Sequence, residues 1–119
     1  MDANVVKEIE LLHDRVCYAL ADPKRLLVLY HLVTGRLSVG ALSATLEMPQ
    51  TTVSRHLRIL RDRGLVTPHR EGTTIYYSLA DPRIIEALDL MRALVRNQVE
   101  TEASIVAPHP MSEADGPPQ

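Results

Sequence analysis

A chain of 119 residues, 45% hydrophobic and 24% charged, has room for one domain and a tail, and its four tyrosines, with no Trp or Phe, exclude an aromatic-rich β-sandwich. The core must come from Leu, Val, Ile and Ala, and one this small favours an oligomer. A single cysteine, Cys17, rules out an internal disulfide, no apolar run reaches the roughly 20 residues of a membrane helix, and the Met-Asp-Ala-Asn start is no export signal, so a cytoplasmic protein is expected.

Val5, Ile9, Leu12, Val16 and Leu20 recur at three-to-four spacing and predict an amphipathic first helix. Asp22-Pro23 combines a cap with a first-turn proline and opens a second helix through Leu26, Leu29 and Val33, stopping at Gly35. Arg36-Leu37 reads as a connection, and Ser38 caps a short third helix through Leu42 and Leu46. After the turn Glu47-Met48-Pro49-Gln50, a fourth helix spans about 50–63 and ends at Gly64. Two short helices across a tight turn, the second basic, make a helix-turn-helix pattern.

Beyond Gly64 the period changes to two: Ile75, Tyr77 and Leu79 alternate with Thr74, Tyr76 and Ser78. Residues 66–79 therefore predict a β-hairpin turning at Glu71-Gly72. Asp81-Pro82 opens a last helix striped by Ile84, Leu88, Met91, Val95 and Val99. The pattern fades near 104, and four of the eight prolines follow, so residues 1–103 are the expected domain and 104–119 an expected disordered tail. The fold class is mainly helical α+β: four helices, a hairpin and a fifth helix.

Residues 50–70 hold Arg55, Arg58, Arg61, Arg63 and Arg70 against Asp62 alone, a net of +4 that leaves −6 on the rest of a chain whose net charge is −2. One basic segment in an acidic protein marks either a solvated face or a surface offered to a polyanion. Angle helps to choose between them. At about 100° per residue from Val53, Leu57 and Leu60 fall within about 40° of it, while Thr51, Arg55 and Arg58 lie opposite, flanked by Thr52 and Ser54. Arginines along such a helix suit guanine edges in the major groove, and hydroxyls near its N-terminus suit phosphate. Gln50 fits a phosphate contact, a base reader or a helix cap. Arg70 and Thr73, at the hairpin tip, are candidate wing contacts to the minor groove, although Glu71 beside them opposes phosphate. Arg61 and Arg63 suit the negative end of the helix dipole, and His56 falls toward the packed side.

The segments Leu20-Ala21-Asp22-Pro23-Lys24-Arg25-Leu26, Val53-Ser54-Arg55-His56-Leu57-Arg58-Ile59-Leu60, Gly64-Leu65-Val66 and Tyr76-Tyr77-Ser78-Leu79, in this order, resemble the ArsR/SmtB family over about residues 15–97. The resemblance implies a winged helix-turn-helix and a homodimer joined through the first and last helices, by Val5, Ile9, Leu12, Val16, Ile84, Leu88, Met91 and Val95. It also implies a double-stranded inverted-repeat operator, repression, and release by an inducer. The family's usual sensing residues are missing. Ser38, Gly40 and Ser43 stand at the thiolate positions of the third helix; Asp81, Arg83, Leu94 and Asn97 at the last-helix metal positions; Tyr30 at a sulfide-sensing cysteine. The inducer is thus not identified, and no cofactor is expected. His13 and Cys17, four apart, are a weak alternative pair for a divalent metal, or Cys17 alone for oxidation. Rival readings are an activator, or a winged-helix module that contacts a partner protein. An enzyme is disfavoured, because no phosphate loop, triad spacing or carboxylate pair is present.

Overall fold

The computed structural model describes residues 1–106; residues 107–119, and with them most of the expected tail, lie outside the described residues. The N-terminal helix begins after Asp2, whose carboxylate accepts from the Asn4 amide at 2.9 Å. It runs as α1 (Ala3–Leu11), a π-helical stretch (Leu12–Cys17) and a last turn, α2 (Tyr18–Leu20). Periodicity predicts one uninterrupted α-helix here. The observed widening appears in the Tyr18 amide, which donates to the His13 carbonyl five residues back.

Helix α3 (Pro23–His31) starts as expected, with the Asp22 carboxylate accepting from the Lys24 amide at 2.8 Å and Pro23 in the first turn. The segment read as a plain connection holds a short strand, β1 (Leu37–Ser38). Helix α4 (Val39–Leu46) is capped by Ser38, which accepts from the Ala41 amide at 3.1 Å, and closes on Glu47 in the left-handed region at φ 54°. The tight turn leads through Pro49 to α5 (Gln50–Asp62). Gly64 (φ 79°) ends that helix, with the Leu65 amide returning to the Leu60 carbonyl at 2.8 Å.

Strands β2 (Val66–Glu71) and β3 (Thr74–Leu79) form the hairpin, and β1 joins its far side in the antiparallel order β1-β3-β2. Sequence missed β1 because two residues carry no period. Its pairing, Leu37 to Tyr77 and Ser38 to Tyr76, is set by a strand about 40 residues away. The hairpin turn is corrected by one residue. Glu71 pairs with Thr74, so the loop is Gly72-Thr73, with Gly72 supplying the positive φ of 63°.

The core is aliphatic, as composition requires. Val28 and Leu29 of α3, Leu42 of α4, and Val53, Leu57 and Leu60 of α5 are fully buried. The chain divides into two compact units, Met1–Ile85 and a second from Glu86 onward. The second contains the body of α6 (Arg83–Val106), which extends three residues past the expected domain end at 103. Asp81 holds its start, accepting from the Arg83 amide at 2.9 Å. Among the described residues no helix is long and apolar enough to cross a membrane.

Candidate nucleic-acid interface

Helix α5 divides cleanly. Val53, His56, Leu57 and Leu60 are buried, while Thr51, Ser54, Arg55 and Arg58 are exposed and Thr52 is half-buried. The angular reading therefore places each side chain where it was expected. No hydrogen bond or ion pair holds the guanidiniums of Arg55 and Arg58 among the described residues.

Arg61 and Arg63 are engaged. Arg61 pairs with Asp62 at 2.9 Å. Arg63 lies 4.2 Å over the Tyr18 ring and donates to the Asp14 carbonyl. Within the basic segment Arg63 ties α5 to the N-terminal helix, Arg61 holds only its chain neighbour, and Arg55, Arg58 and Arg70 face outward.

The N-terminus of α5 is open. Pro49 has no side chain able to cap it, and its carbonyl takes the Thr52 and Val53 amides at 3.0 and 3.1 Å. The amides of Gln50 and Thr51 precede those bonds, which leaves them for an outside acceptor. Gln50 is the first residue of the helix and not its cap, so that alternative is dropped. Its amide nitrogen lies toward Gly40, 3.8 Å from where a β-carbon would stand.

At the wing tip Arg70, Glu71 and Thr73 are exposed. The Glu71 charge is already compensated, because Arg36 reaches it at 2.9 Å while lying 4.6 Å over the Tyr76 ring. Arg36 comes from the turn before β1, and nothing in its local sequence signals this contact. The objection that Glu71 repels phosphate weakens accordingly.

His56 lies on the buried face of α5 with its Nδ1 buried and unpartnered among the described residues. Burial pushes its pKa below the usual 6.5, against the raising influence of Asp22.

The residues at the family's sensing positions do not fit a metal. Ser38 caps α4, Ser43 donates to the Met48 carbonyl, and Gly40 has no side chain. Asp81 caps α6 and pairs with Arg83 at 2.7 Å, which holds its carboxyl below the usual carboxylate range. Tyr30 offers no thiol. His13 is exposed and bonds to Asp14 at 3.2 Å, and Cys17 is exposed. No cluster of three His, Cys, Asp or Glu side chains suited to a metal is found among the described residues.

Of the apolar stripes, Val5, Ile9 and Leu12 are exposed and Val16 is half-buried. On α6, Met91, Val95 and Val99 are about half exposed, Ile84 is half-buried, and Leu88 is buried at 7% exposure. Leu90 and Leu94, which the sequence reading did not place on that stripe, are exposed as well.

Comparison with known proteins matches residues 22–67 to a family described as bacterial regulatory protein, arsR family. The transcriptional activator HlyU of Vibrio cholerae is 36% identical over 94 residues, covering 79% of this chain and 82% of HlyU. The regulator NmtR of Mycobacterium tuberculosis is 45% identical over 71 residues, covering 60% of this chain and 59% of NmtR. The homodimeric winged helix-turn-helix domain of Mb0332 from Mycobacterium bovis, a possible ArsR-family transcriptional regulator by its description, superposes with a TM-score of 0.73 at 30% identity, covering 85% of this chain and 93% of that one. The aliphatic core, the basic helix, the wing and these likenesses agree: the chain belongs to the ArsR family of winged helix-turn-helix transcriptional regulators, which are DNA-binding proteins and not enzymes.

Proposed function

We propose that the protein is a homodimer that reads an inverted-repeat operator, with one α5 entering the major groove at each half-site. The observation that carries this reading is the pair of untethered guanidiniums, Arg55 and Arg58, on the face of α5 opposite its buried apolar stripe. They supply bidentate contacts to guanine. Gln50, Thr51, Thr52 and Ser54, with the open amides of the helix start, supply phosphate contacts that fix register. Arg70 and Thr73 of the wing lie along the minor groove. Pairing through the exposed stripes of the N-terminal helix and α6 covers apolar surface that a monomer leaves in water, and Mb0332 is homodimeric by its description.

Repression is the simplest output, because occupancy of a promoter needs only DNA binding. The relatives include both signs: HlyU is described as an activator, while a protein of Agrobacterium fabrum, 44% identical over 72 residues, is described as a biofilm growth-associated repressor. At the usual metal positions Ser38 and Asp81 cap helices, Arg83 is ion-paired, and Gly40 and Leu94 carry no ligand atom, so release from DNA does not run through a metal there. A cytoplasmic location follows from the proposed target.

Selection of binding duplexes from a random pool tests the proposal. An enriched inverted repeat, bound with an affinity that falls steeply with salt, supports it. Weak binding of every duplex alike favours the partner-protein reading instead.

A further inference from the structure

We infer that Arg63 is a positioning residue that sets the angle between the N-terminal helix and α5, and thereby the half-site spacing that the dimer accepts; this rests on the homodimer reading above. The N-terminal helix is weakly anchored by apolar packing. No residue from Ala3 to Tyr18 is buried, and Ala19 is the first that is. Since its apolar stripe is the surface proposed to meet the partner, its orientation on its own protomer depends on directional contacts, and two arginines provide them. Arg25 of α3, itself buried, donates from Nε to the Ala19 carbonyl at 2.6 Å and from Nη2 to the Tyr18 carbonyl at 3.2 Å. Arg63, the residue that closes α5, stacks on the Tyr18 ring and donates to the Asp14 carbonyl.

Arg25 thus ties the helix end to the body of the fold, and Arg63 ties it to the helix that enters DNA. The Asp14 carbonyl sits in the π-helical stretch, where the wider backbone turn departs from ordinary helical bonding. The lever is long. A helix of 18 residues spans roughly 27 Å, so a tilt of about 10° displaces its far end by about 5 Å. One base-pair step is about 3.4 Å. An angle held loosely at this junction lets the two recognition helices of a dimer settle at more than one separation.

The experiment takes the inverted repeat enriched by the wild-type protein and varies its central spacer by −1, +1 and +2 base pairs. Wild type is expected to prefer its own spacing by about tenfold. Arg63→Ala and Tyr18→Leu are expected to bind all spacers within about twofold of one another, with the salt slope unchanged. Tyr18→Phe, which keeps the ring, and Arg61→Ala, which removes a charge from the same helix end, are expected to keep the tenfold preference. If Arg63→Ala does not fold, Tyr18→Leu decides. An Arg63→Ala protein that keeps the preference overturns the inference. So does one that loses affinity equally on every spacer with a shallower salt slope, which marks a phosphate contact. Failure of wild type to enrich any inverted repeat overturns the homodimer reading itself, and this inference with it.

Discussion

Arg55 and Arg63 stand eight residues apart on one segment and do different work. Arg55 faces solvent, whereas Arg63 is folded back onto Tyr18. Arg55→Ala is expected to cost about 1–3 kcal/mol on the enriched duplex and to relax the base preference at one position of each half-site, read by titration against single-base variants. An equal loss on random DNA would make it a phosphate contact. The outward face of α5 was legible because 100° per residue is a local rule. The partners of Arg36 and Arg63 were not, because each is fixed by a chain segment that only folding brings near. His56 also carries a pH prediction. Burial depresses its pKa, so the unfolded chain takes up a proton more readily, and stability falls as pH drops below about 6.5. Desolvation, joined by the repulsion of Arg25, Arg55 and Lys24, outweighs the attraction of Asp22 for the proton. Urea titrations from pH 7.5 to 5 are expected to show this loss in wild type and to show it flattened in His56→Gln. The lowered aspartates Asp22 and Asp81 act in the same direction, but only nearer their ordinary value of 3.8.

The helix starts at Asp22, Ser38 and Asp81 were readable, since a cap is a contact within two or three residues, whereas the cap at Asp2 was not read. The elements that escaped were β1 and the π-helical stretch. A two-residue strand exists only through β3, and a widened helical turn leaves the three-to-four spacing of apolar residues nearly unchanged. The turn of the wing was displaced by one residue because Glu71-Gly72 and Gly72-Thr73 share the same glycine, and only the pairing of Glu71 with Thr74 separates them. Two glycines give opposite outcomes for one substitution. Gly72 has open space around it but a φ of 63°, so Gly72→Ala is expected to destabilise by about 1 kcal/mol through the backbone alone. Gly40 lies in α4 with only ordinary contacts at 3.8 Å or more for an added methyl, so Gly40→Ala is expected to stabilise by about 0.5–1 kcal/mol. Denaturant midpoints check both, and a loss at Gly40 would mean that Gln50 is held more tightly than its distance implies.

Across the chain, apolar residues stay exposed on two helices: Val5, Ile9 and Leu12 on the N-terminal one, and Met91, Val95 and Val99 on α6. The placement of Leu88 refines the test of pairing. Because it is buried within the protomer, a charge there would damage folding as well as association. Val95 is 54% exposed, so Val95→Asp is expected to leave a folded monomer, read as native circular dichroism with half the mass by light scattering, and to lose operator binding. A Val95→Asp protein that stays dimeric would move the interface off this stripe. The central claim, two α5 helices reading adjacent major-groove segments from one symmetric pair of chains, is tested most directly by hydroxyl-radical and methylation-interference footprinting on the enriched duplex. The account predicts two tracts of guanine contact related by a two-fold axis and centred about one DNA turn, roughly 34 Å, apart, both abolished when Arg55 and Arg58 are replaced by alanine. A single tract, or a footprint indifferent to those two replacements, would contradict it.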